Sequence, residues 1–445
     1  MSKFDVSHFT DSILGKIGEW LPRGWVWRQS PLGPLQTLMT VMHMSAFGNK
    51  GYRTALREVF TSMHRAFGWD PKVPTPSALT QARGKLSEKM CRDLFRRLSV
   101  EATHVTSHAR MRYREFARVV AVDGTKTSLA STASLKRDFG CPQGEHLAPQ
   151  ALLTMLWDVG GNVPIDWRLG GISGSEQVDL EDMLGSLGPG DLLLADRLYP
   201  SRALMDRLQH EGIHFVFRVK TKGTRIMLEI QDFIASGIAD QTLALRDYPG
   251  RTIRLVRGTR DGSEHLLFAT SLPEDAHPGT AIADLYQRRW AVETAYREAK
   301  GWHGLDELPG KSKVHVRQEV CALMIFWLMQ GELEGQARRV YADEIKQQPG
   351  VDPKWTPEEG IAETPVQFNR NLAAVSIALL MVAAVISIDE AIDSWKVSIR
   401  YLWQNRSRRK PGRHYRRTSE RPHIIRKRDD ISSAAAKGGR KKGDR

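Results

Sequence analysis

The spacing of hydrophobic residues divides this chain into three parts. Up to about residue 112, apolar positions recur every three or four residues, which predicts a helical N-terminal part. From residue 118 the apolar runs are short and are separated by glycine and proline, which predicts strands. Long apolar segments return at 311–330 and 372–388 and predict buried helices, the second within a helical C-terminal region at 331–405.

The middle part predicts an α/β domain at 113–330. Its elements are expected in the order strand, strand, strand, helix, strand, helix, strand, at 119–125, 152–157, 163–169, 176–187, 191–196, 200–210 and 213–219. Two strands are expected to end on an acid: Asp123, where Gly124 would turn the chain, and Asp196. Further strand-like runs at about 220–278 lie outside this order of seven elements and predict a β-rich insertion.

One helix is expected at 284–301, DLYQRRWAVETAYREAKG, beginning at Asp284 and ending at Gly301 in a left-handed turn. A solvated helix mixes charges of both signs, whereas this one would carry a single acid among cations on one face, with Arg297 close to the same stripe. Such a face suits polyanion binding around one metal-ligating carboxylate. At about 100° per residue, four reactive side chains would share an arc of roughly 60°: Tyr286, Arg289, Glu293 and Lys300.

The spacing Tyr-x2-Arg-x3-Glu-x6-Lys resembles the YREK signature of bacterial insertion-sequence transposases of the DDE class, in the insertion-sequence 4 family. The segments VDGT at 122–125 and LLLADR at 192–197, and the order of elements, resemble the ribonuclease-H-like catalytic domain of that family. The resemblance covers most of 70–330. It implies a cut-and-paste transposase that binds terminal inverted repeats, cleaves the element ends and joins the 3′-hydroxyl strand to target DNA.

Phosphodiester chemistry explains the acids that the resemblance assigns to catalysis. Two divalent ions about 3.5 to 4 Å apart activate the attacking oxygen and stabilise the leaving one. Carboxylates suit Mg²⁺ or Mn²⁺. We therefore expect two ions per site, with Asp123 bridging them and Asp196 and Glu293 each completing one shell.

The cations are expected to hold DNA. The resemblance implies that Tyr286, Arg289 and Lys300 grip the end of the transposon and support a hairpin intermediate. Arg297, and Arg197 directly after Asp196, are candidate phosphate contacts, although Arg197 could equally tether the strand end by a salt bridge. Thr125 and Lys126 could line the groove beside Asp123. In a relative of this family a tryptophan of the insertion stacks on a flipped base; here Tyr248 and Phe233 are the alternatives, and neither is assigned.

The N-terminal part, 1–112, is expected to be a DNA-binding domain. Two helices within 76–99 would be capped by Ser77 and Ser87 and separated by the GKLS turn. From charge alone, a helix-turn-helix-like DNA contact and a helical hairpin with a solvated basic side are both open. SALTQAR at 77–83 resembles a segment of the same transposase family and favours DNA. The basic residues concentrated here are Arg83, Lys85, Lys89, Arg92, Arg96 and Arg97.

The charge distribution and the cysteine content indicate which partners and which cellular compartment to expect. The formal net charge is +14, but the segment 406–445 has sixteen basic and four acidic residues, so that tail carries +12 and the rest is nearly neutral. The tail is expected to be disordered and to bind phosphates nonspecifically. The cysteines form no CxxC pair, which argues against a zinc module or a disulfide framework and fits a bacterial cytoplasm. No secretory signal is expected, and 372–388 is short for a membrane span.

Two other functions remain open. A noncatalytic DNA-binding protein would keep the fold and the basic segments without needing Asp123, Asp196 and Glu293. A ribonuclease-H-like nuclease would share these acids but would not need Tyr286, Arg289 and Lys300 beside the glutamate. A transposase would act on double-stranded DNA, and the pairing of two ends implies a homodimer.

Overall fold

The structure is a computed structural model, and it describes residues 32–46, 51–67, 73–106, 116–142, 148–223, 226–260, 264–347, 366–369, 373–377 and 388–408. Most of the predicted helix at 372–388 and most of the predicted tail, at 409–445, lie outside these residues. Among the described helices, none is long and apolar enough to cross a membrane.

The helices alternate with a set of strands in the middle of the chain. The α-helices are α1 Pro34–Ala46, α2 Tyr52–Phe67, α3 Pro76–Gly84, α4 Glu88–Thr106, α5 Ala133–Phe139, α6 Glu176–Met183, α7 Arg202–His210, α8 Leu228–Ser236, α9 Gly279–Gln287, α10 Trp290–Gly301, α11 Lys313–Val340, α12 Ala342–Lys346 and α13 Ile388–Gln404, with 3₁₀ turns at Leu184–Ser186 and Leu305–Glu307. The strands are β1 Val119–Ser128, β2 Gln150–Asp158, β3 Val163–Gly171, β4 Leu192–Ala195, β5 His214–Arg218, β6 Asp240–Ala244, β7 Thr252–Arg260, β8 Glu264–Thr270, β9 Val366–Gln367 and β10 Ser407–Arg408.

The central sheet has eight strands in the order β3-β2-β1-β4-β5-β8-β7-β6. Strands β1, β2 and β3 are antiparallel neighbours, whereas β4 and β5 run parallel to β1. This arrangement of the first five strands is the ribonuclease-H-like one that the sequence predicts. The apolar strand β4 is fully buried, as a parallel strand covered on both faces must be.

The insertion extends the same sheet. Strand β8 pairs antiparallel with β5, with Val216 opposite Thr270, and β7 and β6 follow it. The β character expected at 220–278 is therefore present, joined to the first five strands by backbone hydrogen bonds.

Strand β1 does not end at Asp123. It continues to Ser128, because the long strand β2 pairs with it throughout: Asp123 lies opposite Met155 and Gly124 opposite Thr154. The expectation that Gly124 turns the chain is wrong. Since β4 ends at Ala195, β1 runs past the end of its parallel neighbour, and from Asp123 onwards this edge of β1 is not paired with β4.

The helix expected at 284–301 is two helices, α9 and α10, separated at Arg288 and Arg289. The amides of these two residues donate to carbonyls three residues earlier, which tightens the turn. The two helices pack on different parts of the sheet. The ring centroids of Tyr286 in α9 and Phe268 in the insertion are 5.0 Å apart. Tyr296 of α10 instead donates to backbone oxygens of β1 and β2.

Two boundary residues of the expected helix also have other roles. Helix α9 begins at Gly279 after Pro278, so Asp284 lies inside it and does not cap it. Gly301 is helical, and the left-handed residue is Gly304, with φ 62°. The arc that was expected to gather Tyr286 with Glu293 and Lys300 therefore does not run along one continuous helix.

Helix α11 is the centre of the main hydrophobic core. Its buried residues pack with those of α1, α4, α10 and α13 and with one face of β1, β2 and β3. Gly331 allows this approach, because a Cβ there would lie 2.2 Å from a methyl carbon of Val163. The described helices on either side of 113–330 therefore share one core with the sheet, and the described residues up to Arg408 belong to one compact unit.

Candidate active site

The three candidate acids lie on three elements that the sheet brings together. Asp123 is in β1, Asp196 directly follows β4, and Glu293 is in the first turn of α10. Because β1 and β4 are parallel with Ala121 opposite Leu194, Asp123 and Asp196 follow at the same level of the sheet. Acids at the carboxyl ends of parallel strands are where α/β sheets build their sites.

Helix α10 is fixed to the sheet by Tyr296. Its hydroxyl donates to the carbonyl oxygen of Asp123 at 2.8 Å and of Leu153 at 3.2 Å, and the side chain is buried. Glu293 lies one helical turn earlier, on the same side of the helix. This contact therefore sets the distance of Glu293 from β1.

Arg289 joins the acids of β1 and α10. Its guanidinium donates to Glu293 Oε1 at 2.5 Å and lies 3.6 Å from Asp123 Oδ2. The Arg289 side chain is 9% exposed, so this positive charge neutralises two carboxylates in a poorly solvated place. Its Nε atom is buried and has no hydrogen-bond partner among the described residues.

Negative charge is crowded around Asp123. Burial raises the pKa of its carboxyl to about 7, the Arg289 charge opposes this rise, and the charges of Glu293 and Glu176 add to it. Burial is also the main cause that raises the pKa of Glu176, to which the charge of Asp196 contributes. The four carboxyl groups thus belong to one electrostatic site.

The donor set suits a hard divalent cation. The candidate ligands are carboxylate oxygens, the type that Mg²⁺ and Mn²⁺ prefer, and the pair Asp123 and Glu293 already accommodates a cation in Arg289. Within the described ranges, however, no three or more His, Cys, Asp or Glu residues are gathered closely enough to hold an ion by direct ligation alone. Mg²⁺ keeps several waters and takes ligands from substrate phosphates, so its chemistry does not require such a cage.

The candidate DNA contacts differ in accessibility. Tyr286 and Arg289 are buried, with the guanidinium 5.6 Å from the centre of the phenol ring. Lys300 is half-buried, and its Nζ donates to the carbonyl of Lys126 and lies 3.7 Å from Asp306. The remaining pair, Arg197 and Arg297, are exposed.

Thr125 and Lys126 follow Asp123 along β1, with Thr125 half-buried and Lys126 exposed. The two alternatives for base stacking are less accessible than that role requires. Phe233 is fully buried, and Tyr248 is half-buried against the same hydrophobic core.

Arg83 is not available to DNA. It is fully buried and donates to Glu319 Oε1 at 2.8 Å, to Gln318 and to the carbonyl of His315. It ties α3 to α11. The exposed basic residues of this segment are Lys85, Lys89, Arg96 and Arg97, whereas Arg92 is half-buried and paired with Glu88.

The caps of the two N-terminal helices differ from expectation in one case. The hydroxyl of Ser87 accepts from the amide of Met90, as expected for the start of α4, whereas α3 is capped by Thr75 and not by Ser77. Helix α4 packs along α11, where the Cys321 thiol donates to the carbonyl of Cys91. Both thiols are free and buried.

Glu176 and Tyr199 were not singled out from the sequence. Tyr199 donates from its hydroxyl to Glu176 Oε2 at 2.7 Å, and both are near Asp196. The available signals were weak: Glu176 is the first residue of a predicted helix, and Tyr199 closes the run ADRLY.

Known proteins resemble this chain over its middle part. Residues 114–329 match the family described as transposase DDE domain. Over 268 residues the chain is 25% identical to the transposase InsG for insertion sequence element IS4 of Escherichia coli strain K12, covering 56% of this chain and 59% of that protein. The chain thus spans less than two thirds of that relative. A segment of 53 residues is 40% identical to the transposase for insertion sequence element IS421 of Escherichia coli, covering 12% of this chain and 14% of that protein.

Among solved structures, the chain is similar to the piggyBac transposase in a synaptic complex with hairpin DNA, with a TM-score of 0.42 and 12% identity over 95% of this chain and 86% of that chain. The family match is the more specific finding, because its range holds the first five strands of the sheet, the three candidate acids and α10. Residues 114–329, a little under half of this chain, are therefore similar to the transposase DDE domain, and the chain is also similar to the transposase of insertion sequence element IS4.

Proposed function

We propose that this chain is a cut-and-paste DNA transposase. It binds the inverted repeats at the ends of an insertion sequence, cleaves both ends and transfers the 3′-hydroxyl strand to target DNA. The observation that carries the proposal is that Asp123 and Asp196 lie at the same level of two parallel strands, with Glu293 joined to Asp123 through Arg289, within the residues that match the transposase DDE domain. The partners are double-stranded DNA and a second copy of the chain, inside a bacterial cell.

In this role Asp123, Asp196 and Glu293 would hold two Mg²⁺ or Mn²⁺ ions. When bound, such ions supply an activated water or 3′-hydroxyl and stabilise the leaving oxygen. Tyr296 keeps Glu293 at the sheet through its hydrogen bond to the Asp123 carbonyl. The carboxylates therefore need little rearrangement of the backbone to act together.

Arg289 would change partners when DNA enters. Its planar fork matches a phosphate, and its buried Nε has no hydrogen-bond partner in the part of the chain that the structure describes. Tyr286 lies beside the guanidinium and limits where it can move. Lys300, Arg197 and Arg297 would add positive charge along the DNA backbone on the accessible side of α10 and β4, where Arg197 and Arg297 are exposed.

The test compares two linear DNAs, one with the terminal repeats that flank the gene and one with those repeats scrambled. Purified protein should cut the first at the repeat ends with Mg²⁺, and neither DNA with EDTA. Binding without cutting would favour the noncatalytic alternative. Cutting of both DNAs would favour a nuclease, and Lys300→Ala gives the second arm: a plain nuclease should keep most of its nicking, whereas a transposase should lose end processing.

A further inference from the structure

We infer that Glu176 is a fourth carboxylate of this site and contributes to holding one of the two divalent ions. The inference rests on the proposed function, since it concerns the same ions. It adds a residue from a helix that neither the sequence signature nor the three-acid arrangement includes.

Glu176 reaches the site from the face of the sheet opposite α10. Helix α6, which begins at Glu176, packs its Leu180 with Val120 and Val122, whereas Val292 of α10 packs with Ala121 on the other face. Successive residues of a strand point to opposite faces. The residue that follows Asp123 in β1 therefore faces α6. A carboxylate from α6 can approach Asp123 closely only if that residue has no side chain.

Gly124 provides that opening. A Cβ at this position would lie 2.3 Å from the carboxyl carbon of Glu176 and 2.5 Å from its Oε1. The Glu176 carboxylate thus lies directly against the backbone next to Asp123. This contact explains why glycine stands in the middle of a paired strand, where a glycine otherwise weakens the strand.

The orientation of Glu176 is fixed from one side. The buried hydroxyl of Tyr199 donates to Oε2 at 2.7 Å, which leaves Oε1 as the oxygen nearest Gly124. Tyr199 belongs to the turn that carries Asp196, whose Oδ1 accepts from the amide of Leu198 at 2.7 Å. The side chain of Gln177 donates to the carbonyl of Leu198 and ties the start of α6 to the same turn.

A purely structural role does not explain this arrangement. Besides the neutral phenol of Tyr199, the groups that act on the Glu176 charge are Lys126, which is exposed, and three acids: Asp123, Asp196 and Asp179. Arg289, the buried cation of the site, is engaged by Glu293 and Asp123 on the opposite side. A carboxylate placed among carboxylates in a half-buried position is stabilised by a shared cation.

Metal binding tests the inference without relying on catalysis. Mn²⁺ is titrated into the full-length protein, with and without a duplex of the element end, and free Mn²⁺ is measured by electron paramagnetic resonance. Wild type should bind two ions, and Glu176→Gln should bind one of them at least about tenfold more weakly. Glu181→Gln is the matched control, because Glu181 lies on the same helix, is exposed and pairs with Arg207 outside the site.

A second variant tests the inference independently, in case Glu176→Gln does not fold. Gly124→Ala keeps the carboxylate but displaces it, because the end of the Glu176 side chain must move away from the new methyl group. It should weaken the same ion as Glu176→Gln does. Wild-type affinity for both ions in Glu176→Gln would overturn the inference and leave the proposed function intact. If wild type binds no Mn²⁺ in either condition, the proposed function itself fails.

Discussion

The guanidinium of Arg289 and the carboxylate of Glu293 are joined by a hydrogen bond of 2.5 Å across one helical turn, and the same guanidinium lies 3.6 Å from Asp123. The positive charge thus lies between two of the acids that would hold the proposed ions. Because all three side chains are largely buried, this charge contributes to the stability of the protein without ions.

The first prediction concerns that charge. Arg289→Met should lower the free energy of unfolding in EDTA by about 3 kcal/mol, because it leaves two partly buried acids without their cation. Mg²⁺ should restore more stability to the variant than to wild type, since an ion can replace the missing charge. Chemical denaturation in EDTA and in Mg²⁺ measures both effects. Arg297→Met is the control, because Arg297 lies on the adjoining helix α10 and is exposed; equal losses in both variants would contradict the prediction.

Arg83 should be a structural residue. Both side chains of its ion pair with Glu319 are fully buried. Arg83→Met should therefore lower the free energy of unfolding by about 3–5 kcal/mol, because Glu319 loses its cation. The double variant Arg83→Met/Glu319→Leu should recover much of the loss. Urea unfolding measures these changes, with the exposed neighbour Lys85→Met as the control. A stable Arg83→Met protein with reduced DNA affinity would restore the DNA-contact interpretation.

Tyr296 should matter both for stability and for the site. Tyr296→Phe removes the hydroxyl that donates to the carbonyl oxygens of Asp123 and Leu153. The free energy of unfolding should therefore fall by about 1–3 kcal/mol. Since this bond sets the position of Glu293, cleavage at saturating DNA should fall more than DNA binding does. Single-turnover cleavage and a gel-shift titration separate the two. Tyr401→Phe, at an exposed position, should change neither.

The free energy of unfolding should fall at acid pH because His315, near the contact between α3 and α11, takes up a proton on unfolding. Burial, and to a lesser degree the charge of Arg83, lower the pKa of His315 to about 4. Because the unfolded state takes up the proton near pH 6.5, stability should be full above that pH and decline down to about pH 4, by at most about 3 kcal/mol. The difference between wild type and His315→Gln, measured by denaturation from pH 4 to 7.5, isolates this contribution. A difference that does not vary with pH would contradict it.

Much of the site follows from local sequence. The apolar runs LLLA before Asp196 and VVAV before Asp123 each predict a strand, and the structure has a strand at each place. Helical spacing likewise identified the segments that became α3, α4 and α11. These features depend on residues close together in the chain, which is why the pattern predicts them.

Contacts between distant segments account for what the sequence did not predict. No glycine or proline marks the break at Arg288 and Arg289; it arises because Tyr286 packs on the insertion while Tyr296 packs on β1 and β2. Arg83 looks like its basic neighbours in sequence, and only its contact with α11 reveals its burial. The role of Gly124 likewise depends on Glu176, which lies on another element.

The most direct test of the proposed function is cleavage of a linear plasmid that carries the terminal repeats, in Mg²⁺, by wild type, Glu293→Gln and Glu274→Gln. Glu274 is an exposed acid in the loop before α9, so its variant controls for the loss of one negative charge. We predict metal-dependent cuts at the repeat ends by wild type and Glu274→Gln, and none by Glu293→Gln, which should still bind the DNA. Equal cutting by Glu293→Gln, or binding without any cutting by wild type, would contradict the account.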